Sequence, residues 1–156
     1  MLIHLIAVGK HMPNWVYEGC DTFKNRLPKD YQLKITEIAA EKRTKSANLD
    51  QLIQREEAKI AAHIPKDALC IALERTGTAL STKTLANHLK KWHDNNQDIC
   101  FVIGGPEGLT PQFCQQANAV WSLSELTLPH PLIRVVLAEQ IYRAWSIIMN
   151  HPYHRE

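Results

Sequence analysis

The 156-residue chain predicts an α/β fold, a mostly parallel sheet flanked by helices, from three observations. Short apolar runs alternate with helix-length amphipathic stretches from end to end, the rhythm of parallel βα units. Glycines gather where one such run stops, in Gly104-Gly105-Pro106-Glu107-Gly108. No repeat, linker or low-complexity tract divides the chain, so residues 1–156 are expected to form one domain.

The first strand is Leu2–Val8, an apolar run too short to span a membrane and without the basic start of a signal peptide. Asn14 is placed to cap a helix running to about Leu27, where Pro28 stops it. A second strand, Leu33–Ile38, leads to a helix over Ala47 to Ile64, with Leu49, Leu52, Ile53, Ile60 and Ile64 on one face. The third strand is Ala68–Leu73, and Ser81 caps a helix to Asn95 with Leu85, Leu89 and Trp92 as its stripe. Ile99–Ile103 is the fourth strand, Pro111 opens a short helix, and Ala119–Ser122 is the fifth strand.

The last helix, Leu132 to about Asn150, is apolar almost all round, through Val135, Val136, Leu137, Ile141, Tyr142, Trp145 and Ile148. Such a helix must be buried on more than one side. One face suits the sheet and the other a second copy of the chain, so a homodimer is expected. Trp15, Trp92, Trp121 and Trp145 fall on apolar faces or strand ends and read as core or interface.

Composition excludes several classes. Hydrophobic residues at 45% and charged residues at 22% are ordinary for a globular chain. A net charge of +2 and a pI near 8.4 are only mildly basic, so any RNA contact must come from local patches. The four cysteines, Cys20, Cys70, Cys100 and Cys114, form no C-x-x-C pair. They read as free thiols in a reducing compartment, giving a cytoplasmic protein with no metal site and no membrane association.

In an open parallel sheet, ligands bind beyond the carboxyl ends of the strands. Three features fall there. Gly104 and Gly105 allow close backbone approach, Pro106 stiffens the loop, and Gly108 suits a left-handed turn. Leu123-Ser124-Glu125-Leu126-Thr127-Leu128 leaves the fifth strand and is followed by Pro129-His130-Pro131, a loop able to offer backbone groups to an adenine edge while its leucines pack the ring. Leu73-Glu74-Arg75 ends the third strand beside them. No P-loop is present, and no G-x-G-x-x-G follows the first strand.

These residues, with the tail Asn150-His151-Pro152-Tyr153-His154-Arg155-Glu156, resemble the SPOUT superfamily of RNA methyltransferases. The likeness extends over the whole chain, including Val8-Gly9 with Met12-Pro13, and Glu41-Lys42-Arg43. Glu41, Thr44 and Arg75-Thr76-Gly77 depart from it in loop detail. The resemblance implies a C-terminal trefoil knot, an exception to the rule against threaded chains. It implies S-adenosylmethionine as cofactor, with S-adenosylhomocysteine as product, held by Leu73, Gly104, Gly105, Leu123, Ser124, Glu125, Leu126, Thr127 and Leu128. It implies methylation of N3 of a pseudouridine in 23S large-subunit ribosomal RNA, on the assembled ribosome.

Such an enzyme must align an RNA nitrogen with the methyl group, exclude water and remove an imino proton. Tyr153, His154 and Arg155 are the catalytic candidates. With Arg134 they are also the RNA-binding candidates: Tyr153 to stack on a base, Arg134 and Arg155 to hold phosphates, His154 to take a proton. Glu107 is a second candidate base, Lys42-Arg43-Thr44-Lys45 a basic loop for RNA, and His130 a structural residue. Two other readings stay open from sequence: a methyltransferase of this fold acting on transfer RNA, and a non-catalytic RNA-binding assembly factor.

Overall fold

A computed structural model describes residues 1–155; Glu156, the last residue of the tail motif, lies outside the described residues. The chain runs β1 (Leu2–Val8), α1 (Asn14–Lys24), β2 (Gln32–Ile38), α2 (Leu49–His63), β3 (Leu69–Ala79), α3 (Thr82–Asp94), β4 (Ile99–Ile103), α4 (Pro111–Gln116), β5 (Ala119–Ser122) and α5 (His130–Ile148). The strands form one five-stranded sheet in the order β2-β1-β4-β3-β5, and every pairing is parallel. All five carboxyl ends therefore open on one edge.

Side chains alternate across the pleat. Ile3, Leu5 and Ala7 of β1, with Ile99, Phe101 and Ile103 of β4, face a core closed by α1, α3 and α5. Ile6, Val8, Cys100 and Val102 face the opposite side, where Ile60 of α2 and Phe113 of α4 cover them. Both layers leave β4 buried along its full length. Truncating its fully buried Phe101 to alanine would cost about 3–5 kcal/mol.

Local signals explain most boundaries. Ser81 accepts the Thr84 N–H and caps α3, Asn48 accepts the Gln51 N–H and caps α2, and Thr110 accepts the Phe113 N–H ahead of Pro111. At α1 the expectation fails: Asn14 is the first helical residue, and Pro13 precedes it with no side-chain cap. The final helix starts at His130, two residues earlier than expected, because Pro131 is tolerated in a first turn.

α5 lies on the sheet between α1 and α3, which bury Leu137, Ala138, Ile141 and Ala144, while Val136, Trp145, Ile147 and Ile148 stay partly exposed. Ile141 is fully buried there, and a Cβ on Gly19 of α1 would fall 2.9 Å from Val135, so α1 sits close on the helix. The third strand also runs longer than expected. Leu73 and Thr78 both register with Trp121, so Glu74 to Gly77 bulge out of the ladder. A Cβ on Gly77 would lie 2.7 Å from the Trp121 backbone, which is why glycine brings the chain back to β5.

Candidate active site

The bulge makes one wall of a small, open pocket of about 90 Å³ at the carboxyl edge. Of the expected cofactor residues, Leu73, Leu123, Ser124, Leu126, Thr127 and Leu128 line it. Glu125, Gly104 and Gly105 do not. Trp121 and Ile133 complete the apolar walls, and Glu74 is the one carboxylate among the lining residues.

The loop after β5 is stitched internally. Ser122 Oγ donates to the Ser124 carbonyl at 2.9 Å, and the Leu126 N–H donates to Ser124 Oγ at 2.9 Å. Arg75 reaches from the bulge to Thr127 Oγ1 at 3.4 Å, joining the two walls. Leu126 is left 73% exposed beside the pocket.

The glycine loop folds on itself. The Gly108 N–H donates to the Gly105 carbonyl at 3.0 Å, and Gly108 has φ +80°, a conformation that favours glycine. A Cβ on Gly104 would lie 2.6 Å from the Gly108 carbonyl carbon. One on Gly105 would lie 2.8 Å from Glu56 Oε2. The close approaches these glycines allow are thus to protein atoms. Two carboxylates take the N–H groups that follow: Leu109 donates to Glu74 Oε1 at 2.5 Å and Thr110 to Glu57 Oε1 at 2.6 Å.

Arg134 corrects the sequence reading. It is 1% exposed, pairs with Glu37 at 2.6 Å, and donates to the carbonyls of Val8 and Gly9 at 3.1 and 2.8 Å. Enclosed between α5 and the ends of β1 and β2, it is not available to an RNA phosphate. Arg43 is likewise engaged, by Glu56 and Glu107, leaving Lys42 and Lys45 as the exposed cations of that loop. Because Arg43 holds the Glu107 carboxyl below the usual carboxylate range, Glu107 is a poor proton acceptor.

His130 packs beside Gly9 and Gly104. Burial, then Arg134, push its imidazole below the ordinary histidine range, while the Gly104 backbone opposes the shift.

The tail lies elsewhere on the molecule. Tyr153 donates its hydroxyl to Glu139 at 2.9 Å, carries the Arg143 guanidinium 4.7 Å from its ring centroid, and meets Tyr142 edge-on at 4.8 Å. Burial, then Glu139, raise its pKa, so it stays a neutral donor. Its ring is partly buried against Phe23, Tyr142 and the Arg143 guanidinium, contacts that anchor the tail. Arg143 also reaches His154 Nδ1 at 3.5 Å, and Arg155 is exposed. Ile133 at the pocket and Ser146 beside the tail are both on α5, about 20 Å apart at 1.5 Å per residue. One chain does not bring Tyr153, His154 and Arg155 to the pocket.

The four cysteines are free thiols, and burial pushes Cys20 up to about 11 and Cys100 to about 12. No cluster of metal-ligating side chains occurs among the described residues, and no helix there is long and apolar enough to cross a membrane.

The family model described as "Predicted SPOUT methyltransferase" matches residues 1–154. Two relatives, from Coxiella burnetii (strain Dugway 5J108-111) and Thioalkalivibrio sulfidiphilus (strain HL-EbGR7), are each 49% identical to the chain. The alignments cover 99% and 100% of this chain and 100% of each relative, and both relatives are named ribosomal RNA large subunit methyltransferase H. Among solved structures, a methylase family protein from Haemophilus influenzae Rd KW20 superposes with TM-score 0.56 at 14% identity, over 99% of this chain and 70% of that one. Another from Neisseria gonorrhoeae gives 0.53 at 12% identity, over 97% of this chain and 95% of that one. At such identities the structures speak to the fold alone.

Proposed function

The chain belongs to the SPOUT methyltransferase family, and from that premise we propose that it transfers a methyl group from S-adenosylmethionine to N3 of a pseudouridine in 23S ribosomal RNA. The observation that carries this is the pocket itself. Of the residues that the resemblance assigned to the donor, Leu73, Leu123, Ser124, Leu126, Thr127 and Leu128 line one cavity at the carboxyl edge, while Gly104, Gly105 and Glu125 lie outside it.

The lining fits the donor. Leu73, Trp121, Leu128 and Ile133 present apolar surface for an adenine, the 123–128 loop adds backbone groups for its edge, and the Glu74 carboxylate complements a cationic ligand. When bound, S-adenosylmethionine supplies an electrophilic methyl group on a sulfonium that leaves as a neutral thioether. The chain must then orient the acceptor nitrogen, exclude water and remove its proton.

Those tasks fall to the tail of a second copy. His154 takes the imino proton, exposed Arg155 holds a phosphate, and Tyr153 fixes the tail through Glu139. The separation of tail and pocket along α5 supports a homodimer whose active site is shared between chains. This reading includes a C-terminal trefoil knot, action on the assembled ribosome and a cytoplasmic location.

Calorimetric titration of the chain with S-adenosylmethionine, followed by mass spectrometry of ribosomal RNA from a deletion strain, tests the proposal. Stoichiometric binding and loss of one methyl from a 23S pseudouridine are expected. A chain that binds no donor is no methyltransferase of this kind. A strain whose 23S pseudouridines keep every methyl while a transfer RNA loses one overturns the substrate.

A further inference from the structure

The basic loop after β2 contains one cation turned inward. Arg43 donates to the Glu41 carbonyl at 2.8 Å, forks onto both oxygens of Glu56, and meets both oxygens of Glu107 at 3.3 and 2.6 Å. Glu56, on α2, is 2% exposed, so its charge needs this partner. A planar guanidinium serves two carboxylates at once, which an ammonium does not do in the same geometry.

The glycine loop is shaped around this arrangement. The space where a Gly105 Cβ would sit is taken by Glu56 Oε2, and Arg43 Nη2 lies 3.2 Å from the same point. Just beyond, Gly108 lies against Glu74, where a Cβ would fall 2.7 Å from Oε1. The loop is thus tied almost residue by residue: the Glu107 side chain to Arg43, the Leu109 N–H to Glu74, and the Thr110 N–H to Glu57. Glu74 is also a wall of the donor pocket.

We propose that Arg43 and Glu107 form a latch that positions the glycine loop against Glu74, making Arg43 a positioning residue for donor binding; this rests on the donor reading of the pocket. The electrostatics agree: Glu56 first and Glu107 second hold the Arg43 guanidinium above its ordinary range, and Arg43 holds Glu107 below its own.

Glu107→Gln is the primary test, because it opens the latch while the buried Arg43–Glu56 pair stays intact. Arg43→Lys keeps the charge and loses the fork. Amide exchange at residues 104–110, S-adenosylmethionine affinity by calorimetry and the unfolding midpoint are measured on the full chain. Both variants are expected to stay folded, to exchange at those amides about tenfold faster, and to bind the donor about tenfold more weakly. The double variant is expected to be no worse than Arg43→Lys alone, since both changes open one contact. Folded variants with unchanged exchange would overturn the latch. Faster exchange with unchanged affinity would overturn the positioning role. A wild-type chain that binds no donor would overturn the donor reading instead, leaving the exchange rates to decide the latch.

Discussion

Arg134 of α5 and Glu37 of β2 form an ion pair at 2.6 Å, with the arginine side chain 2% exposed and the glutamate 23%. The same guanidinium donates to the carbonyls of Val8 and Gly9 where β1 ends. One side chain thereby ties the first turns of α5 to two strand ends. Since the 123–128 loop enters α5 directly, this pair also fixes one end of the pocket wall.

Arg134→Ala is expected to destabilise the fold by about 3–5 kcal/mol, the usual cost of breaking a buried pair. It leaves two backbone carbonyls without this donor, each a cost of its own. Urea unfolding at neutral pH measures the change. A loss below about 1 kcal/mol would show that solvent replaces the contact.

Gly104→Ala is expected to weaken donor binding through the loop and not by filling the pocket. The new methyl would meet the Gly108 carbonyl carbon at 2.6 Å, backbone against backbone, so the 104–108 turn must open. Calorimetry and amide exchange should change together. A variant with slow, native-like exchange in the turn and lost binding would instead place the donor directly on Gly104.

The alternation of apolar residues made the strands and helices legible, because burial on a two-faced sheet leaves that mark in the chain. Strand ends then pointed to Leu73 and Leu123 to Leu128. What pattern does not carry is partnership between distant charges. Arg134 and Arg43 look like surface cations until Glu37, Glu56 and Glu107 are placed beside them, from 13 to 97 residues away. One signal was present for Arg134: a lone cation in an otherwise apolar stretch of α5 has no polar face to occupy. The bulge from Glu74 to Gly77 was not foreseeable from periodicity, since it exists only in register against Trp121.

Acid is expected to open the Arg43–Glu107 contact. The folded-state carboxyl of Glu107 is depressed by Arg43, so its stabilisation is fully present above the ordinary glutamate value of about 4.3 and is lost as pH falls through the lower folded value. The stability difference between wild type and Glu107→Gln should therefore shrink as the solution is acidified below about pH 4. A difference that stays constant down to complete protonation would show that the two side chains are not coupled.

Replacing Tyr153, His154 and Arg155 together by alanine is expected to leave donor binding nearly intact and to abolish methyl transfer to ribosomes. A pocket blocked by Leu128→Trp should lose donor binding, and with it methyl transfer, while its tail stays intact. Neither variant is active alone, but mixed dimers hold one intact pocket facing one intact tail. Mixing should therefore restore part of the activity, at most about a quarter if subunits exchange at random, one site in a dimer formed half of the time. Activity that stays at zero after verified subunit exchange would place tail and pocket in the same chain.

The dimer itself is tested on the outer side of α5. Ile141 is core, so a charge there reports only unfolding; Ile147 and Ile148 near the helix end are partly buried, and Met149 is 57% exposed. Trp15 on α1 is 50% exposed and adds a second large apolar surface. Covering such side chains in a partner contributes about 1.5–3 kcal/mol each before the cost of association. Ile148→Glu removes one of them and puts a charge into the contact. The expected outcome is a folded protein that sediments as a monomer at micromolar concentration, still binds S-adenosylmethionine in its own pocket, and transfers no methyl group. Retained donor affinity separates lost association from lost folding. A wild-type chain that is already monomeric, or a monomeric variant with full activity, would mean that one copy completes the site alone.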